Sequence, residues 1–194
     1  MRITIFCGAS TGENPVYSEK TVSLAQWMAQ NKHSLVYGGG KVGLMGVMAD
    51  TVIANGGYTT GVIPTFLRDR EIAHENLSEL IIVNNMPERK AKMMLLGDAF
   101  IALPGGPGTL EEISEVISWS RIGQNDNPCI LQNDNPCILY NVNGYFNDLK
   151  NMFDHMVGEG FLSLEDRENV LFSDDIAEIE DFITNYKVPS TRQY

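Results

Sequence analysis

Cysteine is scarce in this 194-residue chain, basic residues are outnumbered, and no apolar run is long. Only Cys7, Cys129 and Cys137 occur. An odd, widely spaced set gives no disulfide framework, and no Cys-x-x-Cys or Cys/His spacing suggests zinc. A reducing compartment and no structural metal are the expectation. His33, His74 and His155 are scattered and read singly as surface or packing residues. Lys and Arg number 14 against 25 Asp and Glu, a formal charge of −11. A general nucleic-acid binder needs a basic face for phosphate backbones, so no nucleic-acid partner is expected. A small phosphorylated ligand stays open, because it needs only a local cluster of donors and cations. No stretch approaches the ~18 apolar residues of a membrane span. Met1 to Ser10 lacks a basic leader followed by a long apolar core, so neither a secretory signal nor a membrane partner is expected. The expected setting is cytoplasmic.

What is present is an ordinary globular composition, 43% hydrophobic and 20% charged, at a length that suits one domain. Short apolar runs at Ile3–Cys7, Leu35–Tyr37, Tyr58–Ile63, Leu80–Val83, Ala99–Leu103, Ile138–Tyr140 and near Val170 predict strands. Helices are predicted between them: Tyr17–Asn31, Leu44–Ala54, from near Pro87, from near Thr109 to about Arg121, and Tyr145–Val157. A closing helix is predicted over Asp174–Asn185, and Pro64 opens a long loop. This alternation predicts an α/β fold: a single Rossmann-like domain, doubly wound, with a mostly parallel sheet and helices on both faces.

One segment stands apart. Gln124 to Leu131 is repeated without change as Gln132 to Leu139. Eight residues are too few for a solenoid unit, which needs at least ~20. One copy suffices to link helix to strand, and no function is assigned to the other.

Three glycine-rich segments follow predicted strands: Gly8 to Gly12, Gly38 to Gly46 and Gly105 to Gly108. Ligands of open α/β sheets bind beyond the carboxyl ends of strands. Glycine lets a ligand approach the backbone, and a helix start offers free N–H groups to phosphate. Three such loops point to a cleft for an anionic ligand. Gly38-Gly39-Gly40-Lys41-Val42-Gly43 formally fits the dinucleotide fingerprint. It follows the second strand, however, and Thr59-Thr60-Gly61-Val62 supplies no acid for a ribose hydroxyl. The nucleoside-triphosphatase loop is absent.

Pro104-Gly105-Gly106-Pro107-Gly108-Thr109-Leu110-Glu111-Glu112 has two readings. Thr109 and Glu112 could form a capping box, which is purely structural. The glycines before it are superfluous to a cap, and they suit a ligand oxygen packed against the main chain with a carboxylate beside it. Arg89, Lys90 and Lys92 open a helix, where cations oppose the macrodipole at ~0.3–1 kcal/mol each. An anionic partner would offset that cost, although long cationic side chains are often merely solvated.

Tyr37-Gly38-Gly39-Gly40, Gly43-Leu44-Met45-Gly46, Glu88-Arg89-Lys90-Ala91 and Pro-Gly-Gly-x-Gly-Thr-x-x-Glu at 104–112 together resemble the Lonely Guy family. These are cytokinin riboside 5′-monophosphate phosphoribohydrolases, formerly labelled lysine decarboxylase-like. The similarity spans Ile3 to about Phe182, and the order and spacing of the motifs make it specific. It implies a Rossmann-like homodimer, without a cofactor, that cleaves an adenine-type base from ribose 5-phosphate. By resemblance Arg89 and Glu112 are the catalytic pair. Gly105, Gly106, Gly108 and Thr109 would cradle the phosphate beside Glu111, with Ser10, Gly39 and Gly40 lining the same cleft. Glu71 matches a nucleotide-contacting position and Lys90 accompanies Arg89. Ser118, beside Trp119, falls where relatives often carry threonine. Many relatives have histidine where Pro87 stands and tyrosine where Pro107 stands, and Pro107 removes one donor N–H.

Two other functions compete. A pyridoxal-phosphate decarboxylase would need a Schiff-base lysine, which no motif places. A nucleotide-binding or carrier protein without hydrolysis could use the same loops.

Overall fold

The structure is a computed structural model that describes residues 1–70, 72–120 and 135–187. Glu71, the predicted helix end at Arg121 and the first copy of the repeated octamer lie outside the described residues. So does the start of the second copy, through Asp134.

Among the described residues seven strands form one sheet: β1 (Arg2–Phe6), β2 (Ser34–Tyr37), β3 (Thr59–Pro64), β4 (Glu79–Val83), β5 (Ala99–Ala102), β6 (Cys137–Tyr140) and β7 (Val170–Ser173). Their spatial order is β4-β3-β2-β1-β5-β6-β7, and every neighbouring pair is parallel. The expected mostly parallel sheet is therefore parallel in all its ladders. Gly40 and Ala73 add an isolated antiparallel bridge outside it. Strands buried on both faces read as short continuous apolar runs, as in Ala99-Phe100-Ile101-Ala102. The edge strand β4 exposes Glu79 and Ile82 instead.

Alternation along β1 divides the core. Ile3 and Ile5 face a cluster with Leu24 and Met28 of α1 (Val16–Gln30), Met48 and Val52 of α2 (Gly43–Ala54), and Ile179 of α8 (Ile176–Asn185). Phe6 faces Met93 and Met94 of α4 (Met86–Leu96), with Ile113 and Val116 of α5 (Pro107–Ser120). Leu149 and Phe153 of α6 (Asn147–Gly158) pack on that second cluster. On α5 the spacing of Ile113, Val116 and Ile117 is that of one helix face. Each such side chain contributes about 1.5–3 kcal/mol when fully buried. Thr4, which shares the Phe6 face, is tolerated in the core because its hydroxyl donates to the Met93 carbonyl at 3.1 Å.

Element boundaries differ from the sequence expectation by no more than two residues, and three short features were not expected. The loop after Pro64 contains a one-turn helix, α3 (Thr65–Arg68). A second short helix, α7 (Leu164–Glu168), is capped by Ser163, whose Oγ accepts from the Asp166 N–H at 3.1 Å. Neither is long enough to show a helical period. Helix α6 starts at Asn147 rather than Tyr145. A 3-10 turn at Val142–Gly144 precedes it, with φ of 54° at Asn143, and Asn141 Oδ1 accepts from the Phe146 N–H at 2.7 Å.

The strand order sets the location of a ligand crevice. The chain winds outward from β1 to β4, then returns to lay β5 on the other side of β1. Loops leaving β1 and β5 therefore diverge above this switch point and open a crevice at the carboxyl ends of the strands. At its base the Gly8 N–H donates to the Pro104 carbonyl at 3.1 Å, tying the two glycine loops together.

Candidate active site

Helix α4 opens with Asn85, whose Oδ1 accepts from the Glu88 N–H at 2.9 Å, while Glu88 Oε2 accepts from the Asn84 N–H at 2.9 Å. This reciprocal cap, with an acid in the first turn, offsets the cations that follow. Arg89 lies in the next turn and is buried. Its Nε donates to the Val62 carbonyl of β3 at 3.1 Å, and Nη1 lies 3.8 Å from Met86 Sδ. The guanidinium rests directly on Gly38, where an added Cβ would stand 1.7 Å from Nη2. Gly38 is thus required by this close approach.

Glu112 reaches the same place from α5. Its Oε1 lies 3.4 Å from Arg89 Nη1. Burial raises its pKa; the Arg89 charge pulls it back down, and Glu111 adds to the rise. Lys90 lowers it and Glu115 raises it further, and the net shift is upward, so removal from water and the neighbouring carboxylates outweigh the two cations.

The start of α5 corrects the capping-box reading. The helix begins at Pro107, so Thr109 sits inside the first turn rather than at the cap. Its side chain is buried over Gly105, where a Cβ would stand 2.2 Å from Thr109 Oγ1 and 2.9 Å from the Gly8 nitrogen. Pro107 occupies a position whose N–H has no intrahelical partner, and its fixed φ suits a helix start. Gly106, Gly108 and Thr109 retain their N–H groups at this positive helix end. At Gly106 and Gly108 an added Cβ would meet nothing within 4 Å, so the approach to the main chain is open.

Two connected hollows occupy the crevice. One, of about 350 Å³, holds Arg89 and Glu112 together with Gly40, Glu111, Gly106, Gly108 and Thr109. The other, of about 510 Å³, is lined by Ser10 and Gly105 among others, and the two share Gly8, Ala9 and Gly106. Both volumes fall in the ~300–1,000 Å³ typical of small-ligand sites.

Three expected site residues line neither hollow. Gly39, at φ of 73°, packs its Cα side against β3, where a Cβ would lie 3.3 Å from Ile63 Cβ. It serves the turn rather than lining the hollow. Lys90 Nζ lies 2.7 Å from Glu111 Oε1 and 2.8 Å from Glu115 Oε2, and bonds to those two carboxylates raise its pKa. It ties α4 to α5. Ser118 is exposed nearly two turns beyond Glu112 on α5 and lines neither hollow. Glu71 is outside the described residues, although its neighbour Ile72 lines the Arg89 hollow and accepts from the Lys41 N–H at 2.9 Å.

Sequence reasoning missed Cys7, Met45 and Met86 in that hollow. Burial, then the Glu112 charge, drives the Cys7 thiol far above its ordinary pKa, so it serves as a neutral wall. Nothing in the sequence separates these residues from ordinary core. His74 is a packing residue: its Nδ1 accepts from the Asn76 N–H at 3.2 Å, which leaves Nε2 to donate to Asp50 Oδ1 at 2.9 Å. Among the described residues no cluster of three His, Cys, Asp or Glu side chains is placed to hold a metal ion. No helix among them is long and apolar enough to cross a membrane.

Comparison with known proteins decides the family. Residues 45–183 match the family profile described as possible lysine decarboxylase. A cytokinin riboside 5′-monophosphate phosphoribohydrolase of Arabidopsis thaliana is 41% identical over 186 residues, 96% of this chain and 78% of that protein. One from Rhodococcoides fascians is 43% identical over 175 residues, 90% of this chain and 84% of that protein. The chain belongs to the Lonely Guy family.

The older description does not suit this Lonely Guy site. Pyridoxal phosphate would require a Schiff-base lysine. No lysine is among the described residues lining the Arg89–Glu112 hollow, and Lys90 is held by two carboxylates. The residues present do not fit that cofactor. Solved structures share the Lonely Guy fold more widely. The molybdenum cofactor binding protein of Rippkaea orientalis superposes with a TM-score of 0.66 at 20% identity, covering 94% of each chain. The molybdenum cofactor carrier of Chlamydomonas reinhardtii gives 0.68 at 16%, covering 94% of this chain and 97% of that one. At such identities the likeness concerns the fold alone.

Proposed function

We propose that this Lonely Guy protein hydrolyses the N-glycosidic bond of a nucleoside 5′-monophosphate carrying an adenine-type base, N6-modified or plain, to free base and ribose 5-phosphate. The observation that carries this reading is the buried Arg89–Glu112 pair beside the open N–H groups at the start of α5. Relatives about 40% identical over nearly the whole chain bear the name of that activity.

In this reading Gly106, Gly108 and Thr109 donate main-chain N–H bonds to the 5′-phosphate and fix the ribose. The bond from C1′ to the base nitrogen breaks, the base keeps the electron pair and takes up a proton from solvent, and positive charge develops at C1′. Glu112 faces that charge and takes a proton from the water that attacks C1′. Its raised pKa makes it a stronger base than an exposed glutamate. Arg89 holds Glu112 in place and offers its remaining N–H groups to the phosphosugar or the leaving base. Glu111 and Lys90 brace the wall of the hollow.

The same reading makes the protein a cytoplasmic, one-domain homodimer. Leu110 and Met152, 44% and 49% exposed, line an apolar groove between α5 and α6 that a second copy would cover. Light scattering would then give twice 21.5 kDa.

The test is incubation with AMP and with N6-isopentenyladenosine monophosphate, following free base by chromatography. Release of base from either, and none from the unphosphorylated nucleoside, is the expected result. Tight nucleotide binding without release would replace hydrolysis by the carrier function.

A further inference from the structure

The glycine loop that would seat the phosphate contains a weak joint. The peptide between Gly105 and Gly106 is flanked by the two residues least able to hold a peptide plane by sterics. One side chain from outside the loop fixes it. Tyr145, just before α6, donates its hydroxyl to the Gly105 carbonyl at 2.6 Å. The tyrosine is itself held on both sides. Its ring meets Tyr17 edge-on, with centroids 5.9 Å apart at 82°, and Phe146 at 5.0 Å and 89°. The turn through Asn143 and Gly144, at φ of 54° and 69°, brings it over the loop.

In a trans peptide the C=O and the following N–H point in opposite directions. Fixing the Gly105 carbonyl toward Tyr145 therefore turns the Gly106 N–H away from it. Gly106 borders the Arg89–Glu112 hollow, and Tyr145 does not. We infer that Tyr145 is a positioning residue for phosphate recognition: its hydroxyl locks the Gly105–Gly106 peptide so that the Gly106 N–H faces the phosphate of the substrate. The inference rests on the proposed seating of phosphate at the start of α5. Loss of the hydroxyl frees the peptide to rotate, and each binding event then requires it to be ordered again. The cost falls on affinity for the phosphate, not on the chemical step at C1′.

The test compares wild type, Tyr145→Phe and Tyr17→Leu by calorimetric binding of ribose 5-phosphate and by kinetics with AMP. Tyr145→Phe keeps the ring contacts and loses only the hydrogen bond. It should weaken ribose 5-phosphate binding about fivefold and raise KM for AMP by a similar factor, with kcat within about twofold, the scale of one neutral hydrogen bond. Tyr17→Leu keeps the hydroxyl but loosens the ring, and should shift the same quantities in the same direction by less. Unchanged ribose 5-phosphate affinity in Tyr145→Phe would overturn the inference, as would a fall in kcat with KM unchanged. So would a wild type that does not bind ribose 5-phosphate. A wild type that binds ribose 5-phosphate without cleaving any nucleotide would refute the proposed hydrolysis alone, and the binding comparison would still decide the role of Tyr145.

Discussion

Arg89 Nη1 lies 3.4 Å from Glu112 Oε1 with the two side chains only 11% and 10% exposed, a charge pair withdrawn from water at the mouth of a parallel sheet. Removing two charges from water is costly, and replacing such a pair with apolar residues is often neutral or stabilising. Its place beside an open glycine loop is what the proposed hydrolysis would use. Perturbed carboxylates in a cleft fit that role.

Glu112→Gln separates the catalytic from the structural account. The variant keeps size and hydrogen-bonding capacity but cannot take a proton from water. Turnover should fall by ~10²–10⁴-fold, the scale of general acid–base assistance. Nucleotide affinity measured by calorimetry should stay within a few-fold. A variant that melts many degrees lower and loses binding together with turnover would assign Glu112 to the fold.

Gly38→Ala tests Arg89 without altering Arg89. The new methyl would occupy the space of Nη2, 1.7 Å away, and the flexible end of the arginine is what gives. Displaced, the guanidinium leaves Glu112. A fall in kcat/KM of about 10²-fold is expected, comparable to losing one preorganised electrostatic contact, with circular dichroism unchanged. Wild-type activity in a well-folded Gly38→Ala protein would remove Arg89 from the mechanism.

The pH dependence follows from the direction of the Glu112 shift. Its pKa is raised above the ordinary glutamate value of 4.5, so the folded chain holds this proton more tightly than the unfolded chain does. Glu112 therefore lowers stability as pH rises from 4.5 through the folded value, and this loss is regained on acidification. Comparing thermal midpoints of wild type and Glu112→Gln across that range isolates the slope. Activity runs the other way, since the carboxylate is the working form. Turnover should decline as pH falls through a midpoint above 4.5, and a midpoint at or below 4.5 would contradict burial as the controlling influence.

Lys90 is expected to matter to the scaffold rather than to the substrate. Its ammonium is shared by Glu111 and Glu115 across α4 and α5. Lys90→Met should lower stability by about 0.2–1 kcal/mol, as for partly exposed ion pairs, and leave KM for AMP within about twofold. A tenfold rise in KM would return Lys90 to the binding site.

Much of this was legible along the chain. Seven short apolar runs separated by helical periods foretold a parallel α/β sheet, because strands covered on both faces have no polar side to show. Arg89 and the loop at Gly105 to Thr109 stood out along the chain for a different reason: glycine density and a cation cluster at a helix start are local anomalies, and the structure brings them together with Glu112 at one crevice. Gly39, Lys90 and Ser118 line neither hollow, because nearness in sequence to a motif says nothing about the direction of a side chain. Thr109 as a cap failed because Pro107 can start the helix two residues earlier.

The amino-acid sequence alone determined the local elements, the three glycine turns and the acidic balance, since these depend on neighbours within a few residues. Tertiary structure alone decided which loops meet. The return of the chain from β4 to β5 places Gly8 against Pro104, Arg89 against Gly38 and Glu112, and Tyr145 over Gly105. Each of those contacts joins residues far apart in the chain, and the pKa of Glu112 depends on the burial they create. Strand order is fixed by packing two helical layers onto one sheet, a global optimum that no short window of sequence contains.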